Sequence, residues 1–122
     1  MSDAPTPEPS DLVWTPLCES SPSAAPIRAD ELAEGMVREA IAGDCVVAVG
    51  RADGELFALD GICLHAGGPL GEGRLSGSIL TCPWHGWQYD VRTGRTCLNE
   101  RICTQRFPIR VEPSGVVSVG LD

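Results

Sequence analysis

Cys63-Leu64-His65-Ala66-Gly67-Gly68-Pro69-Leu70-Gly71-Glu72-Gly73 and then Thr81-Cys82-Pro83-Trp84-His85-Gly86-Trp87-Gln88-Tyr89-Asp90 are the two stretches that decide how this 122-residue chain folds. The only two histidines each sit beside a cysteine, in the pattern C-x-H-x16-C-x2-H. Two thiol and two imidazole donors on two short Gly- and Pro-rich segments are what a chain needs to assemble a metal site. Cys/His sets hold zinc or iron–sulfur clusters. A structural zinc site takes its ligands as C-x2–4-C and H-x3–5-H pairs, whereas here each segment supplies one of each type. The one-residue gap between Cys63 and His65 puts both side chains on one side of an extended loop. Each loop can then send one ligand to each of two adjacent metals. A zinc-stapled loop pair stays open as an alternative.

Outward from these segments the signals are strand and hairpin. Cys45-Val46-Val47-Ala48-Val49 and Glu55-Leu56-Phe57-Ala58-Leu59 flank Arg51-Ala52-Asp53-Gly54, and Asp-Gly is a strong tight-turn signal. Ser76-Gly77 joins a second short hairpin that delivers Ile79-Leu80-Thr81 into Cys82, and Arg92-Thr93-Gly94 makes another turn with Asp90 as its cap. Phe107–Val111 and Val116–Val119 flank Pro113-Ser114-Gly115 as a last hairpin. Asp11–Thr15 reads as a first strand, Ser20–Pro26 as a loop, and Asp30–Glu34 as one helical turn ended by Gly35. Trp14 is most simply a core residue. Many short strands with frequent turns and hardly any helical periodicity argue for an all-β domain. Residues 1–10, with three prolines and no aromatic residue, are expected to be a disordered tail, leaving one domain over 11–122.

The bulk properties exclude several functions. Formal charge is −8, so nucleic acid is a poor partner. The charge is uneven: residues 1–60 carry a balance of −9 and residues 61–122 a balance of +1, with no lysine anywhere. No apolar run approaches the roughly 20 residues that span a bilayer, and the acidic start does not read as a signal peptide. The expectation is a monomeric cytoplasmic protein with no membrane contact. In that setting structural disulfides are disfavoured, so Cys18, Cys45, Cys97 and Cys103 are expected to be reduced, although Cys97 and Cys103 are close enough in sequence to pair if oxidised.

The two quoted stretches resemble the cluster loops of Rieske-type [2Fe–2S] ferredoxins, and the flanking strands fit from about residue 35 to 119. The resemblance implies an antiparallel β-sandwich with a small cluster-binding subdomain inserted at about 61–98, two loops carried on short strands. It implies one [2Fe–2S] cluster, with Cys63 and Cys82 on one iron and His65 and His85 on the other. Gly67, Gly68, Trp84, Gly86, Trp87 and Tyr89 would surround it. High-potential members join their loops by a disulfide at the positions of Gly68 and Trp84, so this chain falls with the disulfide-free, low-potential class, and Trp84 would cover the cluster by apolar packing. Those members also carry a serine where Trp87 stands, whereas Tyr89 matches the tyrosine that donates to a ligand sulfur. One sulfur-directed hydrogen bond fewer implies a potential toward the low end of the Rieske window, roughly −150 mV.

The implied function is a one-electron carrier between a flavin-dependent reductase and a terminal oxygenase or similar redox enzyme. The chain has no dinucleotide-binding loop and no histidine to spare for a mononuclear iron site, so it is expected to be an electron-transfer protein and not an enzyme. Two alternatives come from other classes: the small Rieske-like subunit of a multi-component reductase such as assimilatory nitrite reductase, and a zinc-stabilised binding module. Exposed apolar residues near the cluster, Pro69 or Trp87, are candidates for a docking patch, with packing as the competing role.

Overall fold

Asp53 and Gly54 both adopt positive φ, 53° and 79°, the backbone that a two-residue hairpin turn requires. They join β4 (Cys45–Ala52) to β5 (Glu55–Asp60), with Ala52 opposite Glu55 and Val47 opposite Asp60. The computed structural model describes residues 12–20, 22–62, 67–84, 86–97 and 104–121; the expected tail at 1–10 lies outside them. Glu34 clamps this turn from a neighbouring loop, its carboxylate accepting the N–H groups of Asp53 at 2.8 Å and Gly54 at 2.7 Å.

The fold is all-β and antiparallel. One sheet holds β2 (Cys18–Glu19), β3 (Val37–Ala42), β4 and β5 in that order. A second holds β1 (Val13–Pro16), β10 (Val117–Leu121) and β9 (Ile109–Val111), with β10 central. The last two of these form the expected C-terminal hairpin through Gly115, at φ 93°. A third, smaller sheet is β6 (Arg74–Ser76), β7 (Ile79–Thr81) and β8 (Gln88–Asp90), its first hairpin turning at Gly77.

Two buried clusters explain the sequence pattern. Leu17, Ile27, Leu32, Ala40, Val47, Val49, Val117 and Val119 fill the space between the first two sheets. Ala48, Ala52, Phe57, Leu59, Leu70, Leu80, Tyr89 and Val91 form a second cluster beneath the third sheet. Strand β4 thus serves both, Val47 and Val49 on one face and Ala48 and Ala52 on the other. That is why residues 45–50 of the strand read as a continuous apolar run and do not alternate. Each Val or Leu so removed from water contributes about 1.5–3 kcal/mol.

Two local expectations need correction, and one strand is new. Trp14 is not core: it is half-buried at the sheet surface, with the Arg110 guanidinium 4.3 Å above its ring, where a cation and a ring face attract. The turn expected at Asp30–Glu34 is a 3₁₀ turn at Ala29–Glu31, closed by the Glu31 carboxylate on the Arg28 N–H. The strand β3 goes beyond the sequence reading; its pairing with β4 over six residues, Val37 opposite Gly50 through Ala42 opposite Cys45, supplies what its own mixed sequence does not. Among the other cysteines, Cys18 and Cys45 are half-buried and Cys97 is exposed, none of them in a disulfide; Cys103 lies outside the described residues.

Candidate functional site

The first loop leaves the end of β5 and is pinned at its neck. The Ile62 N–H donates to the Asp60 carboxylate at 3.0 Å, Ile62 bridges to Pro69, and the Leu70 N–H donates to the Gly61 carbonyl at 2.9 Å. Past the neck a 3₁₀ turn, Leu70–Glu72, lies so close to β3 that a Cβ on Gly71 would stand 2.5 Å from the Glu39 backbone. The loop is therefore held from both sides by the first sheet.

The second loop leaves β7 and returns as β8. The Cys82 N–H donates to the Trp87 carbonyl at 2.7 Å, and Gln88 Nε2 reaches Thr81 Oγ1 at 3.2 Å across the strand ends. Gly86 takes φ 73° to complete the reversal, as Gly67 does in the first loop. Asp90 caps the next turn as expected, accepting the Arg92 N–H at 2.9 Å through its carboxylate and the Gly94 N–H at 2.7 Å through its carbonyl. Burial pushes the Asp90 carboxyl up, but the Arg92 N–H and the charges of Arg92 and Arg106 outweigh it and hold it below the usual aspartate value.

The two loops meet at Cys82. Its side chain is 1% exposed, in the cluster that also holds Leu80 and Tyr89. The Trp84 N–H donates to Cys82 Sγ at 3.4 Å. From the first loop, the buried backbone of Gly68 approaches until a Cβ on it would stand 3.0 Å from that same sulfur and 2.9 Å from Trp84 Cγ. Of the four expected ligands only Cys82 is among the described residues; Cys63, His65 and His85 lie outside them.

What surrounds Cys82 fits a metal-bound thiolate. The sulfur is shielded from water and faces an N–H donor, which stabilises negative charge on it, and a bare glycine leaves room beside it. A donor set of two cysteines and two histidines suits a Rieske centre. The surroundings also correct the docking expectation. Pro69 and Trp87 are half-buried, Trp87 against the second cluster. Among the described residues, Trp84 (49%) and Ile62 (45%) are large apolar residues exposed beside the loops. Ile62 escaped the sequence reading because nothing in its neighbours distinguishes it from the buried end of a strand. Cys82 and Pro83 also line an open groove of about 800 Å³ together with Met36, Val37, Arg74 and Leu75.

The family model for the Rieske [2Fe–2S] domain matches residues 24–108. The chain belongs to the Rieske [2Fe–2S] domain family. Among its relatives is the ferredoxin component of the alkene monooxygenase system of Xanthobacter autotrophicus, 31% identical over 120 residues, which cover 98% of this chain and 90% of that one. Among solved structures, this Rieske domain superposes on a Sphingomonas yanoikuyae B1 ferredoxin with a TM-score of 0.73 at 25% identity, covering 90% of this chain and all of that one. It also matches a chain in a complex of reduced oxygenase and oxidised ferredoxin of carbazole 1,9a-dioxygenase, TM-score 0.71 at 26% identity, over 89% of this chain and 94% of the other. Among the described residues no helix is long and apolar enough to cross a membrane.

Proposed function

We propose that this Rieske domain is a one-electron carrier holding one [2Fe–2S] cluster, with Cys63 and Cys82 on one iron and His65 and His85 on the other. The observation that carries it is the setting of Cys82: a thiol closed off from water, facing an N–H donor, at the meeting point of the two loops that hold all four donors. When bound, the cluster supplies a site that takes up and releases a single electron. The chain's own residues do the rest. The β7–β8 reversal fixes Cys82, the neck at Ile62–Pro69 presents the first loop to it, and the cluster of Leu80, Tyr89 and Val91 keeps water from beneath. The acceptor in this reading is a terminal oxygenase or similar redox enzyme, supported by the match to a chain in an oxygenase–ferredoxin complex, and the donor we assign is a flavin-dependent reductase. We place the carrier in the cytoplasm as a monomer.

Iron, zinc and acid-labile sulfide analysis tests the reading. The expected result is two irons and two sulfides per chain, with a one-electron EPR signal after dithionite reduction. One zinc and no sulfide would leave a zinc-stabilised module and end the carrier reading.

A further inference from the structure

We propose that Trp84 and Gly68 form a non-covalent staple between the two loops that positions the Cys82 thiolate, a role resting on the reading of Cys82 as a cluster ligand. Each loop's backbone bonds close it on itself: Ile62 with Pro69 and Gly61 with Leu70 in the first, Cys82 with Trp87 in the second. The loops then touch where Gly68 lies against Trp84 and Cys82. Glycine at 68 is set by space and not by conformation, since it is not among the positive-φ glycines. A Cβ there would meet Trp84 Cγ at 2.9 Å, and Trp84 Cβ and Cys82 Sγ at 3.0 Å. All three atoms lie at or next to the backbone of the second loop, so one added methyl has to shift Trp84 or Cys82 by a few tenths of an ångström.

Trp84 ties that packing to the sulfur. Its side chain is 49% exposed, so burial of its ring is not what places it. The root of that side chain packs on Gly68, while its own N–H points at Cys82 Sγ. A shift of Trp84 therefore moves the hydrogen bond to the sulfur together with the loop contact. Trp84 is a positioning residue, acting on the cluster through Cys82.

The test uses the loaded full-length protein and reads two quantities: the half-life of the visible absorbance under excess chelator, and the EPR g-values of the reduced protein. Trp84→Ala and Gly68→Ala should shorten the half-life, by up to the roughly 10- to 100-fold that disturbing a ligand's surroundings costs in metal affinity, and both should displace the g-values. Every variant at 84 keeps the backbone N–H and Cβ; Trp84→Phe also keeps Cγ and a ring against Gly68, which Trp84→Ala loses, and should restore both readouts. Should Gly68→Ala fail to fold, the Trp84 pair still decides, because half of that side chain is already in water. Wild-type lifetimes and spectra in Trp84→Ala would overturn the staple, as would a Trp84→Phe as impaired as Trp84→Ala. Wild-type protein without acid-labile sulfide would remove the ligand reading and the staple with it. Sulfide present with unchanged variants would remove the staple alone.

Discussion

Gly71→Ala should destabilise the protein far more than one methyl group suggests. Gly71 sits in the 3₁₀ turn that docks on β3, and its φ is not left-handed, so alanine suits the local backbone. The obstacle is distance. A Cβ would stand 2.5 Å from both Cα and N of Glu39 and 2.8 Å from the Arg38 carbonyl carbon, all backbone atoms that no rotamer change can move. Ordinary contact begins at 3.4 Å, so the turn has to retreat by about 0.9 Å. A gap of that size forfeits a quarter to a half of each contact it opens. Leu70, fully buried in the same turn, loses packing with it, and the Leu70–Gly61 hydrogen bond that closes the first loop is stretched. Together these amount to about 2–4 kcal/mol, or a fall in Tm of about 6–20 °C for a chain of this length. Thermal and urea denaturation followed by circular dichroism would measure it. Gly77→Ala is the control: open space surrounds that position, and only its positive φ should cost, about 1 kcal/mol. A Gly71→Ala no more costly than Gly77→Ala would refute the steric argument.

Other substitutions test the packing and the charges. Leu80→Ala, at a fully buried position paired with Tyr89 on β8, should cost about 2–5 kcal/mol by urea titration with an unchanged m-value. Asp90→Asn should flatten the acid limb of the stability curve. The folded carboxyl titrates below its unfolded value, so its contribution is present above the ordinary aspartate range and is lost as pH falls through the folded pKa. Unfolding midpoints from neutral pH down into strong acid would show the two proteins converging if the assignment is right. Arg110→Ala should cost about 0.5–1 kcal/mol by removing the cation over Trp14, with a change in tryptophan emission.

The turns were the most legible part of the fold. Asp53-Gly54, Ser76-Gly77 and Pro113-Ser114-Gly115 each reverse the chain where expected, because φ > 0 is a demand that few residue types meet. Strand β3 was not legible. Val37-Arg38-Glu39-Ala40-Ile41-Ala42 mixes charge and alanine, and its β form is dictated by β4 on one side and the Leu70–Glu72 turn on its face. Trp14 looked like core because tryptophan usually is, but Arg110, remote in sequence, gives its ring a cation to face. In the site, the Cys/His spacing pointed to the family whose model matches residues 24–108, while the contact between Gly68 and Trp84 depends on how two loops are carried by different sheets. No local pattern encodes that. The same holds for Ile62, whose exposure follows from the bridge to Pro69.

Strand β4 is a wall with a room on each side, and the rooms are furnished differently. Its sandwich-facing positions carry valine, while Ala48, Gly50 and Ala52 present a nearly smooth surface toward the redox lobe, where Phe57 crowds against Gly50. Neither room can be dismantled while the other stands, so the two halves should melt as a single cooperative unit and the β4 amides should be among the last to exchange with deuterium. In a domain built this way the surroundings of the Cys82 sulfur are guarded by the stability of the whole: the cluster that buries Cys82 also holds Ala48 and Ala52 of β4.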